Sequence, residues 1–401
     1  MRTTWSFFSA GQLTFGVAAI DQLGKWIARL GLTRVLVVSD QVLREVGLLA
    51  RACDPVTSVG VTVEVFDEGE AEPSLQVVAK AVEYARQFRP DAILGVGGGS
   101  NMDLAKMTAT LYTHGGQPAD YFGFDNIPGP VLPILCVPTT AGTGSEVSAS
   151  AVFTDVENQI KVSTLSNYIR PTLAVVDPEL TYSCPAKVTA DSGIDALTHA
   201  IEGYTATDYC QLDVPPGDPV AYEGAHPLGD CLAERAIALV GRFLARSVAD
   251  SQDREARDGM SLAATLAGMT FSNCGVALVH ALEYPLGGEL HCSHGEGNGL
   301  LLPYVMDYNL SQRVDKFARV GELLGVDVAG LTPEQSAHRA IERVRQLRRE
   351  IGIPNRIREI GGKQEQLAQF AAKSFAIKRL MTMNPRQPSE ADLLGILQTA
   401  L

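Results

Sequence analysis

DAILGVGGGSNMDLAKMTATLY, residues 91–112, passes from a short apolar run through a cluster of glycines to a helical pattern. The apolar run predicts a strand, and NMDLAKMTATLY (101–112) predicts a helix. The surrounding chain repeats this order, with strands predicted over 34–40, 61–67 and 131–140 and helices over 41–53 and 74–88. Alternating strands and helices are typical of a parallel sheet with helices on both faces.

The second half of the chain has a different pattern. After about residue 188 the strand signals end, and long Ala- and Leu-rich helical patterns run to residue 401. We therefore predict two domains. An α/β dinucleotide-binding domain, with a parallel sheet flanked by helices, covers residues 1–188, and an all-α metal- and substrate-binding domain covers 189–401. The polar, proline-bearing stretch 207–230 predicts a loop or insertion in the helical part.

Charge and composition exclude several classes of partner. The formal net charge is -13, which argues against nucleic acid or an anionic membrane surface, because both would require a basic face. The sequence contains no run of 18 or more apolar residues, and its start lacks the pattern of a signal peptide. Seven scattered cysteines without a CxxC pair argue against a disulfide framework or a zinc knuckle. We expect a cytoplasmic protein.

Two glycine clusters follow predicted strands. In GVGGGSNMDLAK (95–106) the glycines allow backbone amides to approach a ligand, and the following helix presents its N-terminus to an anion such as a diphosphate. A tight turn without a ligand explains this cluster equally well. PTTAGTGSEVSASAVF (138–153) is rich in small hydroxyl residues. Two such turns at the carboxyl edge of one parallel sheet favour a nucleotide in the crevice there.

Asp40 ends the first predicted strand. An aspartate at this point can accept hydrogen bonds from the hydroxyls of an adenosine ribose and repel a 2′-phosphate. It can also serve as the N-cap of the helix that follows.

SGIDALTHAIEGY (192–204) places Asp195 and His199 four positions apart in an apolar helical pattern. A helix brings such residues to one face, where they can bind a metal ion or form a buried Asp–His hydrogen bond. His280, late in a second apolar helix, and His294, after a glycine-bearing loop, complete a set that suits Fe(II) or Zn(II). His291 is close enough in sequence to compete with His294. Three further histidines are expected at the surface or in loops: His114, His226 and His338.

Taken together, GGGSNMDLAK, PTTAGTGSEV, DALTHAIEGY and GVALVHALEYPLG followed by HCSHGEGNGLLLP resemble the iron-containing (group III) alcohol dehydrogenases, whose fold is related to dehydroquinate synthase and glycerol dehydrogenase. The resemblance runs from Asp40 to about residue 392. It implies a metal-dependent, NAD-linked enzyme that transfers hydride reversibly between a small alcohol and its aldehyde or ketone. Fe(II) is the implied ion, with Zn(II) as the alternative, and a homodimer or higher homo-oligomer is the expected assembly.

The resemblance also assigns roles to residues by their position in the motifs. The implied metal ligands are Asp195, His199, His280 and His294. The implied coenzyme site comprises the diphosphate turn Gly97, Gly98, Gly99 and Ser100, then Asp103, the second-turn residues Thr139, Thr140 and Ser145, the coenzyme-selecting Asp40 and, on the nicotinamide side, Lys161.

The sequence departs from the family in two places. Many members carry a histidine four residues after the third ligand, often assigned to proton relay, and this chain has Tyr284 there. Tyr284, His291 or a water chain is the hypothetical relay. The segment 219–230 looks closer to the branch of hydroxyacid-oxoacid transhydrogenase, so a transhydrogenase or 4-hydroxybutyrate dehydrogenase-like enzyme is the alternative function. A maleylacetate-reductase-like protein and a non-catalytic binding protein are disfavoured, because four ligands and both turns are intact.

Overall fold

The computed structural model describes residues 2–155, 160–215 and 218–401. Contacts divide the chain into two units: Phe8–Cys184 forms the α/β unit, and Pro185–Leu401 forms the helical unit together with the residues up to Phe7. The change of unit falls a few residues before the expected boundary at 188. The association of the first residues with the helices had no signal in the sequence.

The α/β unit contains the predicted parallel sheet. Its strands are β1 (Gln12–Phe15), β2 (Arg34–Val38), β3 (Thr62–Phe66), β4 (Ala92–Gly97), β5 (Gly123–Phe124), β6 (Ile134–Pro138), β7 (Ser150–Asp155), β8 (Ile160–Leu165) and β9 (Leu173–Val176). Its α-helices are α1 (Leu23–Arg29), α2 (Gln41–Glu45), α3 (Leu48–Thr57), α4 (Leu75–Phe88) and α5 (Gly99–His114). The main sheet has the order β1-β9-β6-β4-β2-β3, and all its paired strands are parallel.

Helices pack on both faces of the main sheet, and successive side chains of a strand point to opposite faces. In β2, Leu36 and Val38 pack on the side of α4 and α5, whereas Val35 and Val37 pack on the side of α1 and α3. After the exposed Arg34 the strand is therefore apolar to its end, as is typical of a parallel sheet between two helical layers. The predicted fold class is confirmed.

The sequence did not predict a second, smaller sheet, in which β5 pairs with β8 and β8 pairs with β7. β7 and β8 are antiparallel, with Phe153 opposite Val162. It also did not predict β1 and β9, the strands at one side of the main sheet. β1 and β9 have four residues each and β5 has two, whereas serine, threonine and charged residues interrupt the apolar pattern of the six-residue β7 and β8.

The helical unit is built around a buried central helix. Its α-helices are α6 (Ala186–Thr205), α7 (Pro227–Ala249), α8 (Arg254–Cys274), α9 (Leu278–Leu290), α10 (His294–Asn309), α11 (Val314–Leu323), α12 (Pro333–Glu350), α13 (Leu367–Phe375), α14 (Lys378–Met383) and α15 (Glu390–Ala400). In α6, almost every residue from Thr189 to Thr205 is buried. A helix covered on all sides buries its polar side chains too, so those side chains require specific partners.

His226 differs from its expected place at the surface. Only 2% of the residue is exposed, because its ring stacks on Trp5 with the centroids 4.2 Å apart. Its Nδ1 accepts a hydrogen bond from the backbone N–H of Gly229, which makes it the N-cap of α7. Arg2 forms an ion pair with Glu223 beside it. These contacts hold the first residues of the chain against the helical unit.

Across the described residues, no single helix is long and apolar enough to cross a membrane. One pair, α8 and α9, passes that test of length and composition when taken together, and its two helices meet at 104°.

Candidate active site

The four residues expected to bind a metal converge in the helical unit. One donor atom from each of Asp195, His199, His280 and His294 lies within 4.8 Å of all the others. The Oδ1 of Asp195 is 3.8 Å from the Nε2 of His199 and 3.9 Å from the Nε2 of His280. The first three residues are buried and His294 is half-buried, so the cluster is largely withdrawn from water.

Three helices position these donors. Asp195 and His199 lie on successive turns of α6, and His294 is the first residue of α10. His280 is in the first turn of α9 and not late in a helix as expected, because α8 ends at Cys274 and a new helix begins at Leu278. Helix α10 can reach α6 because glycines face it: a Cβ at Gly295 would lie 2.0 Å from the backbone oxygen of Asp191. This close approach brings the start of α10 to the carboxylate of Asp195.

Two carboxylates that the sequence analysis missed orient two of the imidazoles. The Nδ1 of His280 lies 2.6 Å from Oε2 of Glu202, and the Nδ1 of His294 lies 2.6 Å from Oε2 of Glu283. An ionised carboxylate only accepts, so each Nδ1 donates its proton and each Nε2 keeps its lone pair for a metal. A buried acid in an apolar helix was the signal that identified Asp195, and the same signal marks Glu202 and Glu283.

Asn298 and Asp191 also support the cluster. The Nδ2 of Asn298 donates to Oδ1 of Asp195 at 2.8 Å and lies 3.2 Å from the Nε2 atoms of His280 and His294. Asp191, one turn before Asp195, accepts a hydrogen bond from Ser293 Oγ at 2.6 Å. Because Ser293 is the N-cap of α10, this bond fixes the start of the helix that carries His294.

The electrostatics favour an ionised Asp195. Burial by itself raises the pKa of this carboxyl, but the neighbouring His199, His294 and His280 and the Asn298 amide lower the pKa below its ordinary value. A carboxylate and three imidazole nitrogens form a donor set that suits a divalent transition metal. The residues therefore fit the implied ion.

The two relay candidates occupy different environments. Tyr284 is 5% exposed, and its ring centroid is 6.2 Å from that of His294. His291 is exposed and ends α9 in a left-handed conformation with φ 55°. The ligand cluster does not include His291. Burial and proximity thus favour Tyr284 over His291.

The two glycine turns of the α/β unit lie against each other. Gly97 has a φ of 146°, a value that residues with a side chain rarely adopt. Gly98 is the N-cap of α5, so no side chain caps the helix at this position. A Cβ at Gly99 would lie 2.9 Å from the side chain of Thr143. The buried hydroxyl of Thr140, also beside Gly98, has no hydrogen-bond partner among the described residues. The open N-terminus of α5 and this hydroxyl suit the oxygens of a diphosphate.

Several predicted coenzyme residues connect these turns to the rest of the unit. Asp103 accepts from Ser145 Oγ at 2.6 Å and from the backbone N–H of Val152 at 2.9 Å. The buried Lys106 donates to the backbone oxygen and to Oγ of Ser145, and burial lowers its pKa. These contacts fix the second turn, and a direct contact of Asp103 or Ser145 with the coenzyme stays a prediction.

The remaining predicted coenzyme residues lie at separate places in the unit. Ser100 donates a hydrogen bond to the backbone oxygen of Ala71. Thr139 donates its backbone N–H to Gly97 and so joins β6 to the first turn. Lys161, on β8, is 5% exposed and lies 3.3 Å from Glu72. Asp40 follows β2 and is the N-cap of α2.

Comparisons with known proteins point to a single family. The model of the iron-containing alcohol dehydrogenases matches residues 10–178, and that of the C-terminal part of the same family matches residues 220–401. Long-chain-alcohol dehydrogenase 1 of Geobacillus thermodenitrificans is 38% identical over 96% of this chain and 94% of its own length. NAD-dependent methanol dehydrogenase of Bacillus methanolicus is 34% identical over 99% of this chain and 100% of its own length. A crystal structure of 1,3-propanediol oxidoreductase superposes with a TM-score of 0.92 at 33% identity and covers 100% of both chains.

The chain belongs to the iron-containing alcohol dehydrogenase family. It is an NAD-linked, metal-dependent alcohol dehydrogenase, as the resemblance of its motifs implied.

Proposed function

We propose that Asp195, His199, His280 and His294 hold the catalytic ion and that the enzyme transfers hydride reversibly between a small alcohol and its aldehyde or ketone. The convergence of these four donors carries the proposal, with the Nδ1 protons of two imidazoles directed to buried carboxylates. When bound, the ion supplies Lewis-acid chemistry, which stabilises the negative charge that develops on the alcohol oxygen. The buried donors and their carboxylates hold it in fixed geometry.

Apolar neighbours of the donors support an uncharged substrate. The ring of Phe271 stacks on His199 with the centroids 4.2 Å apart, and Tyr284 lies beside His294. A surface of this kind favours the carbon chain of an alcohol over a second charged group. Tyr284 is the proposed carrier of the alcohol proton.

The α/β unit supplies the proposed coenzyme site. The backbone amides of residues 97–99 at the start of α5 bind the diphosphate, and Thr140 adds a hydroxyl. Asp40 accepts hydrogen bonds from the adenosine ribose and thereby selects NAD over NADP. Lys161 lies on the nicotinamide side in this proposal. Hydride transfer itself belongs to the chemistry of the coenzyme.

The test is NADH formation by protein reconstituted separately with Fe(II) and Zn(II), using a panel of primary alcohols, diols and ω-hydroxy acids. We expect turnover with primary alcohols that is lost in His280→Ala. His338→Ala is the matched control, because His338 is exposed on α12, and it should retain wild-type turnover. No NADH from any alcohol, with exchange between a hydroxy acid and a keto acid in the absence of added NAD, would instead establish the transhydrogenase.

A homodimer in the cytoplasm completes the proposal. β1 stands at one end of the sheet order, and Phe15 and Val17 beside it are 38% and 55% exposed. An edge strand with exposed apolar side chains is suited to pairing with a second copy. Cys136 and Cys274 are buried thiols, which is typical of a reducing compartment.

A further inference from the structure

A single side chain connects the glycine turn to Asp40. Asn101 lies in the first turn of α5 and is 3% exposed. Its Nδ2 donates to Oδ2 of Asp40 at 2.6 Å and to the backbone oxygen of Val96, in β4, at 3.2 Å. The other oxygen of Asp40, Oδ1, accepts from the backbone N–H of Leu43 at 3.0 Å. The carboxylate is therefore held by one donor on each oxygen.

The amide of Asn101 occupies space that two glycines leave open. A Cβ at Gly97 would lie 2.2 Å from its Nδ2, and a Cβ at Gly69 would lie 2.3 Å from its Oδ1. Because both partners of Nδ2 are acceptors, the amide is oriented with its nitrogen toward Asp40 and Val96. The two glycines thus leave room for this amide in this orientation.

A carboxylate that must discriminate between two coenzymes has to stay in place. It offers about four acceptor sites, and two of them serve Leu43 and Asn101, which leaves two for the vicinal hydroxyls of a ribose. Without Asn101, rotation about the Asp40 side chain would carry the negative charge away from a 2′-phosphate and relieve the repulsion. The position of the charge, as well as its presence, determines the selectivity.

We propose that Asn101 is the positioning residue for coenzyme selectivity: it fixes the Asp40 carboxylate toward the adenosine ribose and so sets the preference for NAD over NADP. This inference rests on the proposed role of Asp40. It also couples the ribose site to the diphosphate turn, because Asn101 follows that turn directly in the chain.

The experiment measures the dissociation constants of NADH and NADPH by coenzyme fluorescence, without turnover, in the wild type, Asn101→Ala, Asp40→Ala and the double variant. We expect Asn101→Ala to lower the NADPH-to-NADH ratio of dissociation constants by about tenfold, since a hydrogen bond to a charged group contributes at least that much. In the Asp40→Ala background, the additional loss of Asn101 should leave the ratio unchanged, because the residue acts through Asp40.

Asn101→Leu keeps the size of the side chain and removes the donor without adding a charge. We expect the same loss of selectivity from it, and a wild-type ratio in this variant would overturn the inference. Thr108→Val is the matched control, since it removes a buried hydrogen bond elsewhere on α5. An equal loss of selectivity in this control would also overturn the inference.

The same measurements separate the role of Asn101 from the role of Asp40. If Asp40→Ala lowers the ratio and Asn101→Ala does not, Asp40 selects the coenzyme without Asn101, and the inference is wrong. If Asp40→Ala leaves the ratio unchanged, the role proposed for Asp40 itself fails, and the role of Asn101 fails with it.

Discussion

The carboxylates of Glu202 and Glu283 decide which imidazole nitrogen faces the donor cluster. Glu202 uses its second oxygen to accept the backbone N–H of Val279 at 2.6 Å, so its position is fixed by the start of α9. Glu283 is fully buried. A fixed acceptor on Nδ1 fixes both the tautomer and the orientation of a ligating histidine and raises its basicity.

Replacement of the Glu283 carboxylate should weaken metal binding. We expect Glu283→Gln to raise the dissociation constant of the metal by about tenfold or more, because the charge that polarises His294 is lost while the size of the side chain is kept. Competition with a chromogenic chelator measures it. Glu289→Gln, on the same helix and hydrogen-bonded to Gln366, is the control, and equal affinity in both variants would refute the role of Glu283.

Tyr284→Phe tests the proposed proton carrier. The variant keeps the ring beside His294 and removes only the hydroxyl. We expect kcat to fall by about a hundredfold, the typical contribution of a positioned acid or base, and the pH–rate profile to change while metal content stays constant. His291→Asn is the comparison, because asparagine tolerates the left-handed end of α9. An unchanged profile in Tyr284→Phe, with a changed profile in His291→Asn, would transfer the relay to His291.

At the scale of elements, the donor cluster depends on how closely α6 and α10 approach. Besides Gly295, Gly299 faces α6, where a Cβ would lie 2.7 Å from the side chain of Ile194. Both positions leave no room for a methyl group. The contact therefore requires glycine, and it keeps a donor atom of His294 within 4.8 Å of one of Asp195.

We expect Gly295→Ala to lower the free energy of unfolding by about 1–3 kcal/mol, the usual cost of overpacking. Metal affinity should fall with it, since α10 must move. Gly395→Ala is the matched control, because a Cβ there meets nothing within 4 Å in α15, and the higher helix propensity of alanine should add up to about 1 kcal/mol. Urea unfolding measures both variants, and a neutral Gly295→Ala would contradict the packing argument.

The cap of α7 gives stability a pH dependence. Burial, together with the charge of Lys316, lowers the pKa of His226 from 6.5 to about 4. Between these values the unfolded chain binds a proton that the folded chain does not, so stability rises with pH over this window. The stability that neutral His226 contributes to the folded state is fully present above pH 6.5 and is lost as the pH falls toward 4. Protonation of Nδ1 would also break the bond to Gly229.

His226→Asn should remove this dependence, since asparagine can still cap the helix but does not titrate. We expect the free energy of unfolding to fall less steeply with decreasing pH in the variant than in the wild type, by up to about 1.4 kcal/mol per pH unit. Urea unfolding across this window tests it. If the free energy of unfolding falls equally steeply with decreasing pH in both proteins, His226 does not control the loss of stability in acid.

At the scale of the whole molecule, the proposed dimer can be tested by the mass of the protein in solution. Sedimentation of the wild type should give about twice the chain mass of 42.8 kDa, and Phe15→Glu should give the monomer, because it places a charge beside the edge strand β1. Val59→Glu is the control, an equally exposed apolar residue (44%) that lies outside β1. A monomeric wild type would refute the dimer.

The sequence predicted the parts of this molecule that have a local signal. Strands β2, β4 and β6 appear as apolar runs because both of their faces are buried, whereas β3, at the end of the sheet order, shows the alternation of a half-exposed strand. The pair Asp195 and His199 was visible because a helix places i and i+4 together. β7 and β8 were missed because serine, threonine and charged residues interrupt their apolar pattern and because their stability comes from pairing with each other.

The sequence by itself determined the two kinds of unit and the glycine turn before α5, and it predicted the four residues proposed as metal donors, because each depends on spacing along a few turns or on a motif. Only the tertiary structure decided the partners of these groups. Glu202 meets His280 across 78 positions, and Asn101 meets Asp40 across 61. Such pairs form because buried charges and polar groups must be compensated by whatever donor or acceptor the packing brings within reach, and no local pattern records which one that is.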